Sequence, residues 1–539
     1  QAIELSEQLK IPLHPRFTYY WNQITSEQFS KIFSAVKNMS NNKLLNTEGV
    51  KPALETLGIE HDLANNEIIL QEDDAIILKY LLQKENFSGN NGLECINSLS
   101  PILVRDKSGT FIGTRMGRPE KAKLRKLKGT PVVLFPVGRE GGRLRSFQEA
   151  LEVQSVTADF PIFECVACNK QTLYPSCEDC GKPTEKWYVC PMCKKRTKLQ
   201  KCHTNTVAFE RRKINLTHYF DRALKHVNET QAPILVKGVR GTWNKDHLLE
   251  NLAKGMLRAK HGIAVNKDGT IRYDMTEMGF THFKPKEIGT SVQRLKELGY
   301  EYDKDGQPLV SENQVVELLP QDVALPSCPE SDDDLADGAM TKICNFIDDE
   351  LEKFYGLKKY YNIKKREDLV GQLVIGLAPH TSSGVIGRII GFTKTQGAFA
   401  HPYWHAAQRR NFDGDETCVM LAMDAFLNFS RQYLPDIRGG RSMDAPLVLS
   451  TIIDPPELDT EVFGLDIAPK YPLEFYQAAL DLKWPWEVKI EQVKSRLGKP
   501  EQYEGLKYTH EVSDMNSGVR YSAYKSIPTM VEKLTGQME

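Results

Sequence analysis

The segment HPYWHAAQRRNFDGDE, His401 to Glu416, carries residue types and a spacing suited to holding a metal ion. Asp413 and Asp415 flank Gly414. In extended backbone, residues two apart point to the same side, and the glycine lets backbone or ligand come close. Two such carboxylates suit Mg2+, which takes oxygen ligands in a tight octahedron and is commonly held by one or two carboxylates plus substrate phosphates. His405, Arg409 and Arg410 lie just upstream as cations able to meet a polyphosphate or a nucleic-acid backbone. An Asp-x-Asp pair is also common in solvated loops, and a glycosyltransferase-type pair has the same spacing. An EF-hand is disfavoured, because its loop wants Gly at the sixth position, where counting from Asn411 or Asp413 gives Glu416 or Cys418.

A second chemistry is written in cysteines. Cys165 and Cys168, Cys177 and Cys180, and Cys190 and Cys193 form three CxxC knuckles, followed by Cys202 and His203. Thiolates in such knuckles suit tetrahedral Zn2+, two knuckles closing one structural site. The simplest pairing gives one site from Cys165, Cys168, Cys177 and Cys180. A second would use Cys190, Cys193, Cys202 and His203, with Asn205 standing where a fourth knuckle cysteine is expected. Spacing alone also allows interleaved pairings. Such closed sites supply folding energy rather than catalysis.

The elements that must carry these sites are spread over 539 residues, enough for several domains. With 40% hydrophobic and 26% charged residues the composition is that of an ordinary globular protein, and the net charge of −1 gives no global basic signature. A nucleic-acid partner must therefore be met by local patches. One stands between Arg105 and Arg145, with 12 Lys and Arg against three Asp and Glu. In it RMGRPEKAKLRKLKG presents Arg118, Lys121, Lys123, Arg125, Lys126 and Lys128, on a helix expected to begin near Pro119. PVVLFP (131–136) reads as a strand. HPRFTYYW (14–21) offers an aromatic cluster or a base-stacking platform, Ser26 a helix N-cap, and residues 53–82 a helix-turn-helix-like or small winged element. Asp268-Gly269 marks a hairpin turn, His282, Lys284 and Lys286 form a basic loop, and the acidic stretch 326–339 reads as a linker. Ile343 to Gly356 is expected as an amphipathic helix, and the glycine-rich 371–393 as barrel strands with His380 and Arg388 as exposed polar candidates. Residues 416–434 read as a buried helix behind the aspartates, followed by a loop with Arg438, Arg441 and Asp444. No bilayer-length apolar run or leader is visible, and the opening residue Gln1 suggests a piece of a longer chain.

NFDGDE after HPYWHAAQRR, with LVIGLAPHTSSGVIGRIIGFT (373–393) before it and LNFSRQYLPDIRGGRSMDAPLVL (427–449) after it, resembles the large subunit of the archaeal family D DNA polymerase. So do RMGRPEKAK (115–123), KGMLRAKHGIAVNKDGTIRYD (254–274), THFKPKEIGTSV (281–292) and YPLEFYQAAL (471–480). The Asp-Gly-Asp core is also similar to the DFDGD loop of multisubunit RNA polymerases, with Asn411 where that loop has its first Asp. The resemblance implies a mixed α+β multidomain chain built on two double-psi β-barrels, with inserted zinc ribbons and peripheral helices. Its expected divisions are an N-terminal accessory region (1–100), a first barrel with the basic patch (101–160), a zinc region (161–208), a clamp-like connecting domain (209–329), a second barrel bearing the metal loop (330–450) and a C-terminal region (451–539). It implies an archaeal, cytoplasmic, nucleoid-associated DNA-directed DNA polymerase using two Mg2+ and one or two structural Zn2+. Asp413, Asp415 and Asn411 would be catalytic, and Arg118, Lys121, Lys123, Lys126, His405, Arg409 and Arg410 would meet phosphates or DNA. Primer-template DNA, deoxynucleotides, a small exonuclease subunit and a sliding clamp would be its partners, with no membrane. The competing readings are an RNA polymerase-like or primase-like enzyme and a zinc-ribbon DNA-binding subunit without catalysis.

Overall fold

The computed structural model describes residues 1–107, 121–379, 381, 383–435, 447–507, 514–522 and 527–538. Arg118, His380, Arg438, Arg441 and Asp444 lie outside them. The chain divides into two compact units, one built on Gln1–Arg115 with Gln477–Lys483 and Gln537–Glu539, the other on Met116–Tyr476 with Trp484–Gly536.

The first unit has its own apolar core, in which Trp21, Phe29, Ile32, Leu54 and Leu78 are fully buried. Tyr19 and Trp21 are therefore packing residues, and no base-stacking platform is formed from them. The helix Ser26–Lys37 is capped one residue earlier than its sequence suggests. Thr25 accepts the Gln28 N–H while the Gln28 side chain accepts the Thr25 N–H, a reciprocal box that satisfies two donors the helix leaves unpaired. Between the helices Val50–Leu57 and Glu72–Leu81 the chain makes a hairpin, His61–Ala64 against Glu67–Leu70, so the winged alternative describes it better than helix-turn-helix. Asn65 and Asn66 turn it at φ 50° and 63°, the left-handed pair that a tight hairpin requires.

The second unit is organised by strands far apart in sequence. In chain order its framework is β1 (Ala122–Leu124), β2 (Ser155–Pro161), β3 (Phe209–Asn215), α1 (Leu216–His226), α2 (Leu252–His261), β4 (Tyr273–Gly279), β5 (Asp322–Pro326) and α3 (Ala336–Asp349). There follow β6 (Leu373–Leu377), β7 (Ser383–Thr393), β8 (Gly397–Ala400), α4 (Pro402–Ala407), β9 (Glu416–Leu421), α5 (Ala422–Asn428) and β10 (Val448–Ser450). Pairing runs β5 to β8, β8 to β4, β4 to β9, β9 to β6, β6 to β7 and β7 back to β5, so six strands close on themselves. β4–β8 and β5–β7 are parallel and the other four pairs antiparallel. Closure removes free edges from the ring, and Val374, Ile389, Ala398, Ala400, Val419 and Leu421 are fully or almost fully buried. Two glycines are set by tight packing: a Cβ at Gly376 would lie 2.2 Å from the Trp404 ring and one at Gly391 2.5 Å from the Ile288 carbonyl.

Several local expectations give way to this pairing. Residues 122–124 are the strand β1 on the edge of β4, not part of a helix. PVVLFP makes no ladder; its backbone meets residues 237–239 through single bonds and one parallel bridge at Pro136. Residues 416–421 form β9, and only 422–428 are helical, because the run TCVML fills a place between β4 and β6. The acidic stretch 326–339 is tied down at both ends, joining β5 to α3, with Asp334 paired to Lys126 and Asp337 to Arg366. Arg388 is no exposed candidate either, since it makes two bonds of 2.8 and 2.7 Å to the buried carboxylate of Asp322.

Among the described residues, no helix is long and apolar enough to cross a membrane.

Candidate functional site

Asp413 and Asp415 leave the ring on the loop between α4 and β9. The loop's shape comes from three residues in left-handed backbone: Arg409 (φ 61°), Phe412 (φ 51°) and Gly414 (φ 106°). The last conformation is open to glycine and costly to other residues. α4 enters the loop through an unusual cap, in which the buried His401 ring accepts the Tyr403 N–H at 3.1 Å through Nδ1 and Pro402 follows at the first helical position. Burial first, then repulsion from the neighbouring His405 and His282, holds the His401 ring down to about 3, so it stays neutral as that bond requires.

A third carboxylate joins the two aspartates. Glu277 lies on β4, and one oxygen from each of Glu277, Asp413 and Asp415 can be chosen so that all lie within 4.8 Å of one another. β4 and β9 bring it there, since Thr276 pairs with Glu416 and the Glu277 N–H donates to the Asp415 carbonyl at 3.0 Å. The two accessible aspartates offer the hard oxygen donors that a divalent cation such as Mg2+ takes, with the buried Glu277 of β4 beside them. Glu277 carries no motif in the sequence. Only the register of two strands some 140 residues apart reveals it.

The cations are distributed differently from the sequence expectation. His405 is fully buried, with Nδ1 2.8 Å from Glu277 Oε2 and Nε2 3.1 Å from the Met278 carbonyl oxygen. It cannot reach a phosphate from there. The signal was present in the sequence, because HPYWHA offers an α-helix no polar face, and all six residues are buried. Arg409 is exposed and Arg410 half-buried on the loop, and Asn411 is exposed beside them. Just before β1, Lys121 forms an ion pair with Glu416, the residue after Asp415. Lys123 is exposed, and Lys126 stands 3.5 Å from Asp334. Arg125 pairs with Asp274 at 2.7 Å and reaches Glu416 at 4.0 Å. The basic strand and the acidic loop are thus neighbours. His282, read as part of a basic loop, is buried, and its ring is lowered to about 4 by that burial first and by Lys304 and Lys507 next.

The cysteines gather as two separate quartets. Donor atoms of Cys165, Cys168, Cys177 and Cys180 lie within 4.8 Å of one another, as do those of Cys190, Cys193, Cys202 and His203. Tetrahedral Zn–S bonds of about 2.3 Å place sulfurs roughly 3.8 Å apart. Cys165 to Cys180 is 3.5 Å, Cys193 to Cys202 3.9 Å, and Cys190 Sγ to His203 Nδ1 3.8 Å. The pairing is consecutive rather than interleaved, and His203 supplies the donor that Asn205 lacks. Backbone N–H groups aimed at sulfur favour the thiolates: the Cys193 amide leads in lowering Cys190 to about 5, and the Lys182 amide in lowering Cys180 to about 7.

Residues 228–533 match the family model described as DNA polymerase II large subunit DP2, catalytic domain, and residues 1–199 match the central domain of the same subunit. The chain belongs to the DNA polymerase II large subunit family. It is 43% identical over 570 residues to the DNA polymerase II large subunit of Archaeoglobus fulgidus, covering all of this chain and 49% of that protein. The subunits of Pyrococcus furiosus and Nanoarchaeum equitans are 43% and 42% identical, again over all of this chain and over 44% and 48% of their own lengths. The chain therefore spans about half the length of the curated relatives it matches. The aspartate loop lies in the catalytic-domain match and both cysteine quartets in or at the edge of the central-domain match.

Proposed function

We propose that this chain is the catalytic core of a DNA-directed DNA polymerase, adding deoxynucleotides to a primer 3′-hydroxyl on a DNA template. The convergence of Asp413, Asp415 and Glu277 at the rim of a closed ring, within a catalytic-domain match, carries this reading. Asp413 and Asp415 would hold two Mg2+, which supply activation of the 3′-hydroxyl and neutralisation of the triphosphate and leaving pyrophosphate. Asn411 would offer a neutral oxygen beside them. Lys121, Lys123 and Lys126, with Arg409, Arg410 and Arg118, would bind and orient the phosphates. His405 leaves this set for a place behind the loop. The six-stranded ring would be one double-psi barrel, and the basic segment 101–160 would contribute to a second. The quartets would each hold one structural Zn2+. Primer-template DNA, deoxynucleotides, a small exonuclease subunit and a sliding clamp are the partners this reading assigns to the whole protein, in an archaeal cytoplasm.

Primer extension on a primed DNA template, with the chain alone and with the small subunit, tests the assignment. Removing one pre-organised electrostatic contact to a transition state typically costs about 3 kcal/mol, or a hundredfold and more, so Asp413→Ala should fall at least that far. Wild-type extension by that variant would refute the assignment.

A further inference from the structure

Glu277 presents a problem that the metal reading alone does not answer. A fully buried carboxylate costs several kcal/mol unless it is compensated, and two more carboxylates nearby raise that cost by repulsion. Both of its oxygens are nonetheless engaged away from solvent. Oε1 accepts the Phe412 N–H at 2.7 Å, and Oε2 sits 2.8 Å from His405 Nδ1. The second approach is a close polar contact rather than an in-line hydrogen bond, and neither atom has a hydrogen-bond partner elsewhere among the described residues. The Glu277 main chain meanwhile donates to the Asp415 carbonyl at 3.0 Å. One residue of β4 thus grips the aspartate loop at Phe412, just before Asp413, and again at Asp415.

The grip falls where the loop needs it. Phe412 is a bulky residue in left-handed backbone, a conformation that costs of order 1 kcal/mol and persists only when its surroundings enforce it. The neighbouring Gly279 leaves room for it, since a Cβ there would lie 3.1 Å from Phe412 Cβ. His405 completes the arrangement from α4. Its Nε2 lies against the Met278 carbonyl, so the ring is fixed by the same strand whose glutamate it faces.

We propose that Glu277, backed by His405, is a positioning residue that holds the aspartate loop in its cation-binding shape, rather than a ligand that binds the cation itself. This deepens the reading of Asp413 and Asp415 as a divalent-cation site and rests on it. The geometry separates the two roles through the amide substitution. In Glu277→Gln the side-chain oxygen can still accept the Phe412 N–H. The amide nitrogen takes the place of Oε2 against the His405 ring, whose Nε2 stays on the Met278 carbonyl. The grip survives while the carboxylate charge is lost. Glu277→Ala loses both.

The test measures Mn2+ binding to the 539-residue chain by the loss of the free-ion paramagnetic resonance signal, with Asp413→Ala as the blank for binding elsewhere. Glu277→Gln should bind within about threefold of wild type, and Glu277→Ala at least tenfold more weakly. If folded Glu277→Gln loses as much affinity as Glu277→Ala, Glu277 is a ligand and the proposal is overturned. It is equally overturned if Glu277→Ala binds as wild type. Should Glu277→Ala fail to fold, retained binding by Glu277→Gln still supports positioning and lost binding still refutes it. Primer extension by wild type runs alongside: its absence would sink the polymerase reading, while the Mn2+ ratios would decide this one.

Discussion

Acidification should loosen the second unit through one ring, His401. In the fold its nitrogen is held to the Tyr403 N–H and its value lies at about 3, against an ordinary 6.5. The unfolded chain therefore binds a proton between these values that the folded chain does not. Stability rises with pH across that window and is lost as pH falls through 6.5 towards 3. With 1.36 kcal/mol per unit, the whole depression is worth roughly 5 kcal/mol, and the part lost between pH 8 and pH 5 about 2 kcal/mol. Asparagine is a good N-cap whose oxygen can accept the same N–H without titrating. Urea unfolding of wild type and His401→Asn at pH 8, 7, 6 and 5 isolates the term, because His282 titrates in both proteins and cancels in the difference. The variant should be less stable at pH 8, through lost packing, yet lose about 2 kcal/mol less on going to pH 5. Parallel curves for the two proteins would refute the reasoning.

Three further outcomes follow from the geometry. Metal analysis of the purified chain should find two Zn2+, and Cys177→Ser or Cys202→Ser should each remove one and leave the other. Gly414→Ala places its Cβ in open space but keeps a φ of 106°, a strain of about 1–2 kcal/mol; primer extension should fall at least tenfold, while urea unfolding changes by no more than that strain. Glu350→Ala should destabilise the unit by roughly 3 kcal/mol. Glu350 is fully buried 2.9 Å from Lys254, itself 12% exposed, and its loss takes away that ammonium's counter-charge while leaving it the neutral oxygens of Asn428 and Tyr355; an unchanged urea midpoint would contradict this.

What the sequence disclosed was chemistry held within short stretches of chain. The knuckle cysteines announce themselves because two thiolates three residues apart bind one ion, and Asp413-Gly414-Asp415 because extended backbone aims both carboxylates together. Where function depends on partners distant in sequence, the reading failed in a consistent way. Glu277 looked like any strand acid until β4 met β9. His405 looked like a surface cation because its position in the chain, beside Arg409 and Arg410, says nothing of its burial. The run 416–434 satisfied a helical pattern, yet its first third was taken by the ring, since short apolar runs suit either state and the neighbours decide. His203 was legible as the fourth donor of the second quartet despite Asn205, and the turn closed by the Lys201–Asn205 bridge brings its imidazole to Cys190.

The closed ring also sets the order in which the molecule can be assembled. β4 arrives in the chain more than 40 residues before β5 and some 90 before β6, yet it sits between β8 and β9. A fragment starting after residue 330 would hold both aspartates and could pair β9 with β6 and β6 with β7, but it would lack two strands of the ring, β4 and β5. Its loop would have nothing to lie against. The proposed cation site is therefore assembled late, when segments of high sequence separation finally meet, and such non-local closure is slow. Added in trans, a peptide spanning 273–326 would be the missing piece, and recovery of Mn2+ binding on mixing would time the last step of folding.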